Sequence, residues 1–219
     1  MKVILFGATG MVGQGALREC LLDPRVERVL SVGRSRMGQQ HPKLEELVLA
    51  DLFDLGASAD RLQGFDATLF CLGATSAGMS EADYRRLTHD LTLAVAQTLV
   101  RLNPNMTFIF VSGAGTDSTE SSRTLWARVK GATENALLRM PFKAAYMFRP
   151  GAIRPLHGIR SKTAAYRTGY LLMAPVLPLL QRLLPGLITT TEQLGRAMLR
   201  AARDGAPKRI LETRDINAL

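Results

Sequence analysis

Short, uninterrupted apolar runs alternate along this chain with longer segments in which apolar residues return at helical spacing. A continuous apolar run bounded by glycine or another turn signal is typical of a strand that is buried on both faces of a sheet. The runs that predict such strands are KVILFG, VERVLSVG, LEELVLAD, FDATLFCLG, TFIFVSG and KAAYMFRPG, with a short final strand in KRILE.

The segments between these runs predict helices. The first, MVGQGALRECLL, ends at Asp23, and a late one, TEQLGRAMLRAARDG, has Thr191 as its predicted N-cap and Gly205 as its stop. Another helix is predicted for LWARVKGATENALLRM. A long central helix takes Ser80 as its N-cap, and its apolar stripe consists of Tyr84, Leu87, Leu91, Val95 and Leu99.

Strands that alternate with helices predict an α/β fold, a doubly wound, mostly parallel sheet (Rossmann fold) with helices on both faces. The 219 residues suit a single domain that spans 1–219. Within it, residues 159–190 are rich in apolar residues but contain three prolines and Arg182. Because proline breaks helices and arginine is costly inside a bilayer, we expect a substrate-side or interface segment here and no transmembrane segment.

In a parallel sheet the carboxyl ends of the strands meet at one edge, and ligands bind outside that edge. Glycines gather at the predicted strand exits of this chain, where the backbone can come close to a ligand. These glycines are Gly7, Gly10, Gly13, Gly33, Gly73, Gly113, Gly115 and Gly151.

The loop GATGMVGQG joins the first strand to the first helix with the spacing G-x-x-G-x-x-G. Its glycines permit a tight strand exit, a close approach to a pyrophosphate and close packing of the helix, whose free N–H groups stabilise an anion. The alternative is a turn that needs glycine for packing alone. The predicted dinucleotide-binding residues of this loop are Gly7, Thr9, Gly10, Met11, Val12 and Gly13.

The end of the second strand predicts which dinucleotide is bound. An NAD site places a carboxylate there for the ribose 2′-hydroxyl, but this chain has Arg34 followed by Arg36. Because a guanidinium can bind a 2′-phosphate with two hydrogen bonds, we predict NADP (NADPH) as the cofactor. The alternative is that both arginines are solvated loop residues. Asp51 and Leu52, at the end of the third predicted strand, are expected to touch the adenine ring.

The pieces GATGMVG, VGR, ADL, CLGAT, FVSGAG, VKGATE and FRPG follow one another from the first residue to about Gly158. In this order they resemble the atypical, NAD(P)-binding members of the short-chain dehydrogenase/reductase superfamily, which are related to nucleotide-sugar epimerases. The segment ITTTEQLGRAMLRAA resembles the late helix of that family. The resemblance thus covers most of the chain and implies an oxidoreductase or an epimerase-like enzyme.

The resemblance also implies roles for individual residues. Ser112 matches the catalytic serine, which hydrogen-bonds a substrate carbonyl or hydroxyl group. Lys130 matches the lysine of a Tyr-x-x-x-Lys pair, which holds the nicotinamide ribose and favours a tyrosinate. Pro150 and Gly151 are expected at the nicotinamide end of the cofactor. The residues expected beside the cofactor ribose are Leu72, Gly73 and Ala74.

Trp126 stands where this pattern has the catalytic tyrosine. Since an indole has no acidic hydroxyl, the usual proton donor is missing. Tyr166 or Tyr170 can replace it if the later segment folds over the site, whereas Tyr146 lies within a predicted strand; water or a substrate hydroxyl is another relay. The chain is therefore predicted to be an NADP-dependent oxidoreductase of a small apolar substrate, or alternatively a non-catalytic NADP-binding regulatory or sensor protein.

Composition and charge change this picture little. The net charge of +9 comes from scattered arginines without a basic block, so we predict no nucleic-acid partner. Cys20 and Cys71 are expected to be buried thiols, and the three histidines have no metal-like spacing. The first residues are too short an apolar run for a secretory signal, so a cytoplasmic location is expected. A homodimer is one alternative for the oligomeric state.

Overall fold

The strands of the computed structural model, which describes residues 1–159 and 186–219, form a seven-stranded parallel sheet and a separate parallel pair. The large sheet has the order β3-β2-β1-β4-β5-β6-β9, and the small one pairs β7 with β8. This confirms the predicted doubly wound fold. The strands are β1 Lys2–Phe6, β2 Arg28–Gly33, β3 Leu44–Val48, β4 Ala67–Phe70, β5 Thr107–Val111, β6 Ala144–Arg149, β7 Ala152–Arg154, β8 Ile188–Thr190 and β9 Ile210–Glu212.

Helices cover both faces of the large sheet. Side chains alternate between the two faces along a strand, so Val3 and Leu5 of β1 enter one core with α1 and α5, and Ile4 and Phe6 enter the other with α3. The helices are α1 Met11–Leu22, α2 Glu81–Arg85, α3 Leu91–Leu102, α4 Leu125–Leu138, α5 Thr191–Asp204 and α6 Thr213–Ala218, with a 3₁₀ segment at Gly56–Leu62 and a π-helical turn at Arg86–Asp90.

The order in which successive strands are added to the sheet reverses at β1, which pairs with β2 on one side and with β4 on the other. Phe6, the last residue of β1, is aligned with Val32 in β2 and with Phe70 in β4. The helices that follow β1 and β4 lie on opposite faces of the sheet, since α1 contributes to one core and α3 to the other, and a crevice opens at such a switch point. Residues 7–15, called the phosphate loop here after their predicted ligand, therefore lie at the position where this fold admits a ligand.

Helix α5 packs closely against α1 through glycine. A Cβ on Gly15 would lie 2.7 Å from the carbonyl oxygen of Thr191, and one on Gly195 would lie 2.8 Å from Cγ of Glu19. Glu19 is buried and also accepts a hydrogen bond from Nε of Arg196 at 3.0 Å. The helix that follows the phosphate loop is thus held from behind by a helix from the last part of the chain.

Several helix and strand boundaries differ from the sequence predictions. The N-cap of α5 is Thr190, whose Oγ1 accepts from the Gln193 amide at 3.0 Å, so the prediction of Thr191 is wrong by one residue. Strand β3 ends at Val48, before Asp51. The long central helix is interrupted by the π-helical turn, and Leu87 of its predicted stripe is exposed. Ser80 is the N-cap as predicted.

Residues 160–185 lie outside the described part, so the prediction of a substrate-side or interface segment at 159–190 cannot be compared with a structure there. Tyr166, Tyr170 and Arg182 fall in the same range. Among the helices of the described ranges, none combines the length and the apolar character needed to cross a bilayer.

Candidate functional site

Two glycines of the phosphate loop are required by the protein's own packing. Gly7 has φ +81°, and a Cβ there would lie 2.7 Å from the carbonyl carbon of Cys71. A Cβ on Gly13 would lie 2.0 Å from the carbonyl oxygen of Gly7, because the first turn of α1 presses against the loop. These contacts bring the exit of β4 and the start of α1 together around the loop.

Gly10 is different, because little in the protein occupies the space that its side chain would take. The closest atom to a Cβ at this position is the Gly7 carbonyl oxygen, at 3.4 Å. Gly10 is the N-cap of α1 and provides no side chain to cap the helix, and the first turn contains no acidic residue. The N–H groups of Met11 and Val12 thus lie at an uncapped, partly positive helix end.

A cleft of about 170 Å³ opens beside this loop, between the ends of β2, β3 and β4 and the start of α3. It brings together six residues that are predicted from the sequence to bind the dinucleotide: Arg34, Asp51, Leu52, Leu72, Gly73 and Ala74. The lining consists of Arg34, Ala50, Asp51, Leu52, Phe53, Leu72, Gly73, Ala74, Leu87 and Leu91.

Arg34 and Arg36 are both exposed at the end of β2, and they face different cavities. Arg34 lines the cleft described above, whereas Arg36 lines a cavity of about 700 Å³ that also includes Thr9 and Gln14. The Gln14 side chain donates to the Thr9 carbonyl at 3.1 Å and so fixes the loop from that side. Arg36 thus shares a cavity with the phosphate loop, whereas Arg34 shares its cleft with the ends of β3 and β4.

Asp51 and Leu52 follow β3 in a tight turn. One carboxylate oxygen of Asp51 accepts from the Phe53 amide at 2.9 Å, while the Leu52 side chain is buried in the core behind the cleft. The turn holds both residues at the cleft wall.

Ser112 directly follows β5, and its side chain is buried. Its hydroxyl donates to Oε1 of Glu134 at 2.5 Å and lies 3.2 Å from the carbonyl oxygen of Phe148. Glu134 is fully buried on α4 and forms an ion pair with Arg149, the last residue of β6. The serine is therefore part of a buried polar network as well as standing at the strand exit.

Lys130 reaches the same strand exit from α4. Its ammonium group donates a hydrogen bond to the carbonyl oxygen of Ser112. Burial of the ammonium lowers the pKa of Lys130 to about 8, and the nearby carboxylate of Glu134 opposes that shift. The charge on this lysine is consequently sensitive to pH around 8.

Trp126 lies one helical turn before Lys130 and is partly exposed. Its six-membered ring covers Gly115, where a Cβ would lie 3.4 Å from Cη2 of the indole. Gly115 has φ +86°, so the loop after β5 turns there beneath the tryptophan. The indole thus packs on the loop that contains Ser112.

Pro150 and Gly151 lie at the exit of β6, next to that of β5. The Pro150 carbonyl accepts from the Ala114 amide at 2.9 Å, and the Gly151 amide donates to Oγ1 of Thr213 at 2.8 Å. These bonds place Pro150 and Gly151 beside the loop that follows Ser112, as the resemblance implies for one end of a cofactor site.

Glu134 and Arg149 were not among the predicted site residues. Arg149 binds both oxygens of Glu134 and also contacts Oγ of Ser118 at 2.6 Å and Oε1 of Glu212 at 3.3 Å. A sequence signal was present, since an arginine ends an otherwise apolar strand and a glutamate follows small residues on α4. Charges at such positions indicate a buried pair.

Tyr146 is buried in β6 and its hydroxyl accepts from the Ala206 amide at 3.1 Å, which holds it on the α5 side of the sheet.

Burial raises the pKa values of both cysteine thiols, that of Cys71 to about 12. In residues 1–159 and 186–219, no three His, Cys, Asp or Glu side chains are grouped so that they could hold a metal ion.

No protein-family model matches the chain. It is 29% identical over 151 residues to "Protein fmp52-2, mitochondrial" of Aspergillus oryzae, a match that covers 68% of this chain and 66% of that protein. It is 27% identical over 154 residues to "Protein HTATIP2" of Rattus norvegicus, covering 69% and 62%. "Protein FMP52, mitochondrial" of Chaetomium globosum matches at 26% over 153 residues, 68% of this chain and 65% of that one. The chain thus spans less than two thirds of the length of these relatives.

The names of the fungal relatives contradict the expected cytoplasmic location, because those proteins are called mitochondrial. The expectation was wrong because its basis was that the first apolar run is too short for a secretory signal. That absence gives no information about import into mitochondria, which uses a different kind of signal.

Solved structures share the fold of the chain across nearly its whole length. The Bordetella bronchiseptica enzyme WbmF, solved in complex with NAD⁺, has a TM-score of 0.66 at 14% identity and covers 99% of this chain and 76% of its own. The carbonyl reductase Sniffer of Drosophila melanogaster has a TM-score of 0.67 at 13% identity, covering 97% and 96%. At the level of the fold this agrees with the resemblance to the short-chain dehydrogenase/reductases, because the chain shares the Rossmann fold of these solved structures.

Proposed function

We propose that this protein binds NADP(H) along the carboxyl edge of its sheet and is an oxidoreductase or a related epimerase-like enzyme that acts on a small apolar substrate. The observation that carries the proposal is the space at Gly10. Packing explains Gly7 and Gly13, but the open side of Gly10 at an uncapped helix end is accounted for by a pyrophosphate. The adenosine part extends from there into the cleft that begins at Arg34.

The preference for NADP over NAD rests on Arg34 and its surroundings. The ribose next to the adenine lies near the end of β2, where this chain has an exposed arginine and no acidic residue. A planar guanidinium binds a phosphate with two charge-assisted hydrogen bonds, and NAD has no phosphate at that position. Arg36, on the other side of the loop, adds to the positive charge there.

The bound nicotinamide supplies the chemistry of hydride transfer. In this proposal Lys130 holds the ribose hydroxyls next to the nicotinamide, and Pro150 and Gly151 border the ring. Because the Ser112 hydroxyl already donates its hydrogen bond to Glu134, its oxygen is available to a ligand only as a hydrogen-bond acceptor. Such an oxygen suits a substrate hydroxyl better than a substrate carbonyl, so an alcohol group would bind there by donating its O–H hydrogen bond.

Trp126 supports a second candidate function, in which the protein binds NADP(H) as a regulator or sensor and transforms no substrate. An indole can stack on a ring or donate one hydrogen bond, but it cannot exchange a proton with a substrate oxygen.

Residues 159–190 are proposed to border the substrate or a second copy of the chain. This part of the proposal depends on the range 160–185, beyond the described residues.

A titration of the protein with NADPH and with NADH tests the shared part of both candidates. Trp126 is the only tryptophan of the chain and sits beside the loop after β5, so its fluorescence reports binding at the nicotinamide end. We expect quenching by both nucleotides and tighter binding of NADPH. No binding of either one would remove both candidates. Oxidation of NADPH with a panel of small carbonyl compounds, or reduction of NADP⁺ with alcohols, then separates the enzyme from the sensor.

A further inference from the structure

The connection between β2 and β3 contains no helix. Parallel neighbours in a sheet are usually joined through a helix that packs on one face of the sheet. Here residues 34–43, all of them described, form an irregular loop before β3 begins at Leu44. Helix α1 packs on this face of the sheet, but no second helix follows it between β2 and β3. The side of α1 that would face such a helix therefore borders the loop instead.

The cavity of about 700 Å³ that includes Thr9 lies between α1 and this loop, and it is called the α1 cavity below. From the helix it is lined by Leu17, Leu21 and Leu22, which share one side of α1. Leu17 and Leu21 belong to the core, whereas Leu22 is 60% exposed. The volume lies within the range of about 300–1,000 Å³ that is usual for small-molecule sites.

The loop side of the α1 cavity is fixed by hydrogen bonds. The Met37 amide donates to Oε1 of Glu46 at 2.7 Å, and the Met37 sulfur accepts from the Ser31 hydroxyl at 3.6 Å. Near the start of β3, the Lys43 ammonium donates to the carbonyl oxygen of Asp23 at 2.8 Å and so ties the loop to the end of α1. The cavity thus has a fixed frame, and the flexible thioether of Met37 in its wall can adapt to an apolar ligand.

The ionisable side chains that line the α1 cavity are all basic. Within the described residues the lining contains no aspartate or glutamate, and its basic members are Arg18, Arg36, His41 and His157. Arg18 and His157 already contact glutamates outside the lining. The exposed Arg36 has no hydrogen bond or ion pair in the described part of the chain. His41 accepts from the Lys43 amide through Nδ1 at 3.1 Å, which leaves its Nε2–H group as a donor.

We propose that the α1 cavity is a second ligand site, separate from the cleft that Arg34 lines, and that its ligand is a medium-chain fatty acid. The leucines of α1 and Met37 contact the alkyl chain, and Arg36 and His41 bind the carboxylate. The inference goes beyond the proposed function and does not depend on it. Arg34 and Arg36 are two residues apart but line different cavities, so each ligand has its own arginine.

Calorimetry on the whole chain tests the chemical class of the ligand. The probes are decanoate, octanoate and decyltrimethylammonium, each below its micelle concentration. We expect octanoate to bind roughly fifteenfold more weakly than decanoate, because each buried CH₂ group strengthens binding about fourfold. Decyltrimethylammonium has the same chain as decanoate but a positive head group, so it should not bind. Equal affinities for decanoate and octanoate, or for decanoate and the ammonium compound, would overturn the inference.

Two pairs of variants test the location. Arg36→Ala should weaken decanoate by about tenfold or more, and Arg34→Ala by less than about twofold. Leu22→Glu places a negative charge in the cavity wall and should weaken decanoate by about tenfold or more. Leu187→Glu is its control, since Leu187 is also 60% exposed but lies beside Gly151, at the exit of β6. If Leu187→Glu or Arg34→Ala causes the larger loss in its pair, the acid binds elsewhere and the inference is wrong.

A final titration separates the α1 cavity from the coenzyme site. Decanoate should still bind when the protein is saturated with NADPH, and Leu22→Glu should bind NADPH as the unchanged protein does. Complete displacement of decanoate by NADPH would mean that the cavity belongs to the coenzyme site, and would overturn the inference. If the unchanged protein binds NADPH but no decanoate, the inference is overturned and the proposed function stands.

Discussion

Ser112 gives its hydroxyl hydrogen bond to Glu134, and Glu134 is neutralised in turn by Arg149. Glu134 lies on α4 and Arg149 ends β6, and the serine hydrogen bond connects their buried ion pair to the residue that follows β5. A buried pair contributes little net stability by itself, but the loss of one partner leaves an uncompensated charge. The position of the serine therefore depends on a charge balance in the core.

Replacement of Glu134 by alanine should destabilise the fold by about 3–5 kcal/mol, because Arg149 loses its buried counter-charge. Urea unfolding followed by circular dichroism measures this loss. Glu45→Ala, which removes an exposed pair with Arg28, is the control and should cost less than about 1 kcal/mol. The double change to methionine at positions 134 and 149 should recover most of the stability. If Glu134→Ala and Glu45→Ala lose the same small amount of unfolding free energy, the buried pair contributes no more to stability than the exposed pair.

Trp126→Tyr should create or increase NADPH-dependent reduction of small carbonyl compounds, because it places a phenol one turn before Lys130. A positioned general acid contributes about 100-fold or more to a rate. Trp126→Phe is the matched control, since it also shortens the side chain but lacks the hydroxyl. Steady-state assays of both variants test the idea. If tyrosine and phenylalanine give the same rate, the missing hydroxyl is not what limits the protein.

Gly10→Ala and Gly13→Ala should change different properties: the first should weaken ligand binding, and the second should lower stability. A Cβ on Gly13 would meet the Gly7 carbonyl at 2.0 Å, so Gly13→Ala should lower the melting temperature strongly. Gly10 has φ −82° and ψ 164°, which alanine adopts easily, so Gly10→Ala should fold and bind NADPH at least tenfold more weakly. Thermal melts and NADPH titrations distinguish these results. Tight NADPH binding by Gly10→Ala would move the pyrophosphate away from this loop.

Arg34→Ala should weaken NADPH binding by about tenfold to a hundredfold and leave NADH binding nearly unchanged, because only NADPH has the 2′-phosphate. Arg101→Ala, an exposed arginine on α3, removes the same charge at a distance and is the control. Titrations at two salt concentrations separate a specific contact from general attraction. An equal loss for both nucleotides would remove the reason for naming NADP.

The stability of the protein should depend on the titration of Lys130 at alkaline pH. Its pKa is lowered to about 8 in the folded chain, below the usual 10.5, so between these values the unfolded chain binds more protons. This contribution to the unfolding free energy therefore increases as the pH rises from about 8 to about 10.5. The difference between the unchanged protein and Lys130→Met isolates it. A difference that is constant with pH would mean that the ammonium is not desolvated.

The order of strands and helices and the phosphate loop were predictable, because apolar spacing and the glycine positions around Gly7 and Gly13 act locally. The π-helical turn was not predictable. Its hydrogen bond spans five residues instead of four, and this difference leaves no trace in the spacing of apolar residues. The pairing of Glu134 with Arg149 depends on how α4 lies against β6. The three-residue strands β7 and β8 are too short for a periodic signal, and they pair across a long stretch of chain.

The contact of Gly15 and Glu19 with α5 has a consequence for the order of events during synthesis. The helix that begins at the phosphate loop emerges early from the ribosome, but the surface that supports it is made only at residues 191–204. Before residues 191–204 are made, α1 therefore lacks the helix that packs against it and supports the candidate coenzyme crevice. Capture of the coenzyme should await the synthesis of residues 191–204, and a chain that is terminated before them should bind it poorly.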